Sequence, residues 1–222
     1  HIHRGLAGSN GSIARALKAT PAADNRSGFF AAADNSATMT AGFIDSLRKR
    51  LNYTNIHTSA FRGGEIRGQI LPLATSYFTA TLLGANEVQA VSSTGAGALK
   101  FELSGTTLTV TGRFAGLTAA YAAGVGSHIH TNTTGRNGGV IIPLKPSLDA
   151  DNLGGSYLAA DNQYTLTADQ VTALYDNGLY ANVHSDFSRS GELRGQILPE
   201  INRFPVAGSI TSPPNGGTLT LE

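Results

Sequence analysis

"YANVHSDFSRSGELRGQILP", residues 180–199, repeats "YTNIHTSAFRGGEIRGQILP", residues 53–72, without a gap and at an offset of 127 residues. The register holds further upstream. Asp24-Asn25 falls on Asp151-Asn152, Gly28 on Gly155, the Ala-Ala-Asp-Asn at 32–35 on that at 159–162, and Thr40 on Thr167. A register kept over about 70 residues with no insertion means two copies of one structural unit.

Each copy reads as short strands with one short helix. "YFTATLLGANEV" and "GALKFELSGTTLTVTGRFAGL" alternate apolar and polar residues between glycine-rich turns, the pattern of half-buried strands, and "GTT" at 105–107 is placed to turn a hairpin. "TADQVTALYDNG" reads as a helix with Thr167 as N-cap, Gln170 three residues on, apolar Val171 and Leu174, and Gly178 as the stop. Its copy, "TAGFIDSLRKRL", has a poorer cap. "LYANVHS" and "GELRGQILP" are short strands flanking a polar loop. The expected fold is all-β: two tandem Greek-key-like β-sandwich or barrel units, each with one short helix.

Composition narrows the function. Charged residues make up 14% of the chain and the formal net charge is +1, with the lysines and arginines scattered, so no footprint for nucleic acid or an anionic membrane is present. No apolar run approaches the roughly 18 residues of a membrane span. Cysteine is absent, which excludes disulfides, thiolate metal sites and a cysteine nucleophile. The low charge and the abundance of Gly, Ser, Thr, Ala and Asn favour a secreted, extracellular or cell-surface location. N-x-S/T sequons at Asn10, Asn25, Asn52 and Asn132 are candidate glycan sites. There is no G-x-S-x-G elbow, phosphate loop or paired-carboxylate pattern, so an enzyme is not the leading reading.

All six histidines obey the repeat. His1, His3 and His57 form one triplet and His128, His130 and His184 the other, each spanning 56 residues. In a strand, residues i and i+2 share a face, so each H-x-H sets two imidazoles side by side. An isolated H-x-H is more often a surface pair; recurrence with a third histidine at the same spacing points to a metal site in each unit. Neutral imidazoles suit copper, zinc or nickel and are poor ligands for calcium or magnesium. Asn55 and Asn182, two residues before the third histidine, are candidates to orient the rings. In "GGEIRGQI" and "SGELRGQI", Glu65 and Arg67 share a face, as do Glu192 and Arg194. This is expected either to be a salt-bridged strand or to bring Arg67 and Arg194 near the metal, where they would attract small anions.

H-x-H, a later N-[IV]-H and a closing G-E-[IL]-R-G-Q-[IL] resemble the CHRD domain family, named from chordin. The resemblance covers the second unit (about 77–199) and the later part of the first (1–72). It implies a secreted all-β module whose histidines are a metal site, without a defined catalytic activity. A more distant likeness is to the copper-zinc superoxide dismutase fold, which would make His128, His130 and His184 copper ligands and Arg194 an anion guide. The chain departs from that enzyme in lacking the bridging histidine, the zinc ligands and the cysteines, which argues against fast dismutation.

Residues 1–73 are assigned to a first unit that lacks its N-terminal strands, 74–200 to a complete second unit, and 201–222 to a strand-like tail. Residues 77–127 have no counterpart ahead of His1 in this sequence, while the tail alternates apolar residues at Phe204, Val206 and Ile210 and at Leu219 and Leu221. The tail of one subunit is therefore expected to add strands to the first unit of the next. The leading expectation is an extracellular structural or assembly module that binds one copper (alternatively zinc) per unit. It would partner itself head to tail in a filament or surface layer by strand exchange. The alternative is a copper redox protein with superoxide-directed activity.

Overall fold

The structure, a computed structural model, describes residues 1–200; the tail expected to carry strands lies outside the described residues. The first unit runs β1 (Ile2–Arg4), β2 (Ile13–Arg15), β3 (Thr20–Pro21), β4 (Gly28–Phe29), α1 (Ala32–Asn35), α2 (Ala41–Arg48), β5 (Asn52–Ile56) and β6 (Ile66–Gln69). These strands form a four-stranded sheet in the order β2-β1-β5-β6 and a separate hairpin, β3–β4.

The second unit opens with three long strands, β7 (Ser76–Leu83), β8 (Ala96–Ser104) and β9 (Thr107–Ala115). It continues through β10 (Ser127–Thr131), β11 (Val140–Leu144), β12 (Pro146–Leu148), β13 (Gly155–Tyr157), β14 (Gln163–Thr165), α3 (Ala168–Tyr175), β15 (Leu179–Val183), β16 (Leu193–Gln196) and β17 (Leu198–Pro199). All its strand pairs are antiparallel, and the main path is β11-β10-β15-β16-β7-β8-β9-β13-β12, with β14 on β9 and β17 on β7. The ends of that path, β11 and β12, are separated in the chain by Lys145 alone, so the sheet curls into a nearly closed barrel. The all-β reading is therefore right, and β7–β8–β9 join what in the first unit remain two separate pieces.

The repeat shows why several matched residues are there. Asn162 brackets the corner between β11 and β12: its Oδ1 accepts from Lys145 N–H and its Nδ2 donates to Lys145 O. Asn35 does the same to Lys18. Alternation sets the core: Phe78, Ala80 and Leu82 of β7, Leu99, Phe101 and Leu103 of β8, and Leu108, Val110 and Phe114 of β9 are all buried inside the barrel. The hairpin turns at Gly105-Thr106, with Gly105 in the left-handed region at φ 60°.

Thr167 and Gln170 form the expected capping box, and Thr40 caps α2 with its hydroxyl alone. The helix stop differs from expectation. Asn177, not Gly178, takes the left-handed conformation (φ 56°), and the Gly178 N–H closes back on Ala173 O. The first unit also has a second, one-turn helix, α1, whose Asn35 side chain caps Ala31 O as well as Lys18. One sequon is corrected: Asn52 is fully buried and accepts from the Ser46 hydroxyl, so it has no room for a glycan. Asn10 and Asn25 are exposed, whereas Asn132 is half-buried with its amide committed to Asn137 O. No helix among the described residues is long and apolar enough to cross a membrane.

Candidate metal centres

On β10, Ile129 points into the core and His128 and His130 point the other way; on β15, Val183 points in while Tyr180, Asn182 and, just past the strand, His184 share the opposite face. The two strands pair with His128 opposite Asn182 and His130 opposite Tyr180, which brings the third histidine beside the first two. The ligating nitrogens of His128, His130 and His184 all lie within 4.8 Å of one another, and so do those of His1, His3 and His57. Both triplets expected from the sequence are thus assembled. Ring centroids are 5.3–6.1 Å apart in the second cluster and 5.2–5.6 Å in the first.

The rings are held by backbone carbonyls. Nδ1 lies 3.0 Å from Gly138 O in His130, 3.0 Å from Arg189 O in His184, 3.0 Å from Gly11 O in His3 and 2.9 Å from Arg62 O in His57. A carbonyl only accepts, so each Nδ1 carries the proton and each Nε2 presents a lone pair. The Nε2 atoms of His3, His57 and His130 are buried and have no hydrogen-bond partner. His184 Nε2 lies 3.4 Å from His128 Nδ1. Two imidazole nitrogens bound tetrahedrally at about 2.05 Å from a metal stand about 3.3 Å apart, so this spacing suits a shared metal ion. A set of orphaned, inward-facing imidazole nitrogens fits copper or zinc.

Electrostatics agree with neutral rings in the second cluster. Burial is the main cause that pulls His184 down to about 4, with the neighbouring His128 and His130 adding to it against the Arg189 carbonyl. Burial likewise lowers His130 and His128. Neutral imidazole is the form that binds metal.

The other expected site residues are placed differently. Asn55 and Asn182 do not hydrogen-bond the rings. Asn55 donates to Gly63 O, and its amide packs where a Cβ on Gly64 (φ 122°) would sit. The Asn182 amide fills the same space over Gly191, where a Cβ would lie 2.6 Å from its Oδ1. Ring orientation, assigned from sequence to these asparagines, belongs to carbonyls of the loops they support.

Nor does the expected Glu–Arg bridge form among the described residues. Glu192 accepts from Ser93 Oγ, Thr118 N–H and Ser185 Oγ, and Glu65 accepts from Thr58 Oγ1, the counterpart of Ser185. Arg194 is fully buried, donates to Thr133 O, Arg136 O and Asn137 Oδ1, and lies 3.5 Å over the Tyr180 ring. The other face of Tyr180 stacks on His130, centroids 4.9 Å apart and planes 9° from parallel. Arg67, Tyr53 and His3 repeat the sandwich, at 3.4 Å and 5.1 Å. The arginine therefore props a histidine ring through a tyrosine, with its N–H groups on the loop that covers the cluster, instead of facing anions.

Three site residues were missed from sequence. Tyr53 and Tyr180 had an available signal, because Tyr, Asn and His recur at i, i+2 and i+4 and so share a strand face. Glu87 had none, because its repeat position falls ahead of His1. It lies beside Asn182 and Arg194, and burial raises its carboxyl to about 7 against the lowering effect of those two neighbours.

The fold and site define a class: tandem all-β units, each carrying three histidines on adjacent strands under a loop held by an arginine stacked on a tyrosine. The chain belongs to the CHRD domain family, whose model matches residues 1–70 and 78–197. A comparison with curated proteins finds no match.

Proposed function

We propose that this chain is a non-enzymatic metal-binding module that takes one copper ion, or alternatively one zinc ion, in each CHRD unit. The ligands are His1, His3 and His57 in one unit and His128, His130 and His184 in the other. The observation that carries this reading is the set of buried Nε2 atoms without partners, each aimed into its cluster by a carbonyl on the opposite ring nitrogen. A histidine that only tied strands together would spend both nitrogens on the protein. CHRD domains occur in secreted and extracellular proteins, which supports a place outside the cell. Titrating metal-free protein with Cu(II) and Zn(II) by calorimetry tests the proposal: it requires two equivalents per chain, and failure to bind either metal sinks it.

A copper redox role is the second reading, including the distant likeness to the copper-zinc superoxide dismutase fold. It is favoured by one observation: His128 is only half-buried, so three protein ligands leave a coordination position on the solvent side. Redox cycling of the copper-loaded protein with ascorbate and oxygen distinguishes it from a purely structural ion.

A further inference from the structure

The loop that covers each cluster meets different surroundings in the two units. Residues 5–11 in the first and 132–138 in the second make the same turn, with Gly8 at φ 84° and Gly135 at φ 77°. Both bring a carbonyl to the H-x-H strand, Gly11 O to His3 Nδ1 and Gly138 O to His130 Nδ1. Yet Leu6 and Ala7 are 6% and 7% exposed, whereas Thr133 and Thr134, at the same places in the repeat, lie open to solvent. The side chains change from hydroxyl to hydrocarbon where the loop is buried.

The first loop lies against the second unit. A Cβ on Gly8 would sit 2.9 Å from Arg113 O and 3.2 Å from Ala98 N, so the loop rests on the backbone of β9 and β8; one on Gly135 would meet nothing within 4 Å. Ala98 and Arg113 are paired across those two strands. Leu99, Phe101 and Leu103 fill the barrel, so Ala98, Lys100 and Glu102 face outward on β8. Ala98 takes the loop, and Glu102, further along the same face, takes the guanidinium of Arg50. Gln69 links the two contacts, because its Nε2 donates to both Gly5 O and Arg50 O at 2.8 Å.

The other side of this loop holds the first cluster. Arg67 donates to Leu6 O and Asn10 Oδ1 and lies over Tyr53, which stacks on His3. The Gly11 N–H donates to the Tyr53 hydroxyl while the Gly11 carbonyl fixes His3 Nδ1. Moving residues 5–11 away from β8 and β9 would therefore disturb both supports of the His3 ring, the stack and the carbonyl. His130 has the same two supports, and among the described residues no strand packs on Gly135 behind its loop.

We propose that the second unit sets the metal affinity of the first, the outward face of β8 and β9 holding residues 5–11 in the shape that aims His3 Nε2 into its cluster. Metal binding at His1, His3 and His57 and docking of the two units are then one coupled equilibrium, in which each strengthens the other by the same factor. This rests on the metal reading above and gives it a direction: the first cluster depends on the second unit, while the second cluster is built from its own unit alone.

Two changes confined to the second unit test it in the full chain. Ala98→Leu puts a larger side chain under Gly8, and Glu102→Gln takes the charge from Arg50 at nearly constant volume. In a His130→Ala background, which leaves His1, His3 and His57 as the intact cluster, calorimetric titration with Cu(II) and Zn(II) should show binding about 10-fold weaker after Ala98→Leu and a smaller loss after Glu102→Gln. In a His3→Ala background the second cluster should keep its affinity through both changes. If Ala98→Leu weakens both clusters alike, the barrel itself has been disturbed and Glu102→Gln decides. An unchanged first cluster in both variants overturns the coupling and leaves the metal reading standing, whereas no Cu(II) or Zn(II) bound by the unaltered chain sinks both.

Discussion

Arg50 of the first unit and Glu102 of the second form a two-pronged ion pair, with Nε 2.8 Å from Oε1 and Nη2 2.9 Å from Oε2. The Glu102 side chain is 5% exposed and the Arg50 side chain 16%. Arg50 sits where the second unit has Asn177, both in the left-handed region at φ 59° and 56°. Arg50→Asn therefore keeps the backbone conformation and removes the pair, together with the Arg50 Nη1 bond to Arg48 O. Stranding a buried carboxylate should cost about 3 kcal/mol in urea unfolding, and adding Glu102→Gln should recover part of it. A loss below about 0.5 kcal/mol would show that the pair does not hold the units together.

Metal occupancy should divide by unit. His130→Ala should halve the bound copper or zinc measured by elemental analysis, and His3→Ala should halve it through the other cluster. The double variant should bind none. Copper spectra should be imidazole-rich and lack the intense blue thiolate band, because the chain has no cysteine.

The Asn182–Gly191 contact gives a packing prediction. Gly191 has φ 132°, and a Cβ there would meet Glu87 Oε1 at 2.5 Å and Asn182 Oδ1 at 2.6 Å. Gly191→Ala should destabilise the second unit by about 2–3 kcal/mol through backbone strain and displacement of a buried amide. Adding Asn182→Ala should relieve the steric part, and thermal unfolding of the metal-free protein reads both effects.

Acidity should act on the metal-free protein in two opposed ways. His184 lies near 4, below the ordinary histidine value of about 6.5, so its contribution to stability is lost as pH falls from about 6.5 toward 4. Glu87 lies near 7, above the ordinary carboxylate value of about 4.3, so its contribution is lost as pH rises from about 4.3 toward 7. His128 and His130, also lowered by burial, add to the histidine side, so stability should still rise with pH across this window. Glu87→Gln removes one arm, and its denaturation midpoint should climb steadily from pH 4 to 7. A slope no steeper than that of the wild type would refute the assignment.

Copper-loaded protein should dismute superoxide at least 100-fold below the diffusional ceiling of about 10⁹ M⁻¹s⁻¹. Arg194 cannot steer anions, since its guanidinium lies behind Tyr180 and its N–H groups are taken by the covering loop. Pulse radiolysis gives the rate directly.

The histidine clusters were legible because strand geometry is periodic: H-x-H fixes a face, and the repeat supplies an internal control. The capping box at Thr167 was legible for the same local reason. The carbonyls of Gly11, Arg62, Gly138 and Arg189 were not, since a backbone acceptor leaves no mark on residue identity. The Glu–Arg motif misled because two charges on one strand face resemble a pair. Here each is drawn to a different loop, Glu192 to hydroxyls at 93 and 185 and Arg194 to carbonyls at 133 and 136.

The β7–β8–β9 meander has a consequence for how the chain is made. On a ribosome β6 is complete just before β7 emerges, only residues 70–75 separate them, and β16 appears long afterwards. Because β6 is the repeat of β16, the newborn meander meets a look-alike of its proper partner first. In the folded chain the Tyr77 hydroxyl donates to Pro72 O at 2.7 Å and accepts from Ala74 N–H at 2.8 Å, pinning the linker as it leaves β6.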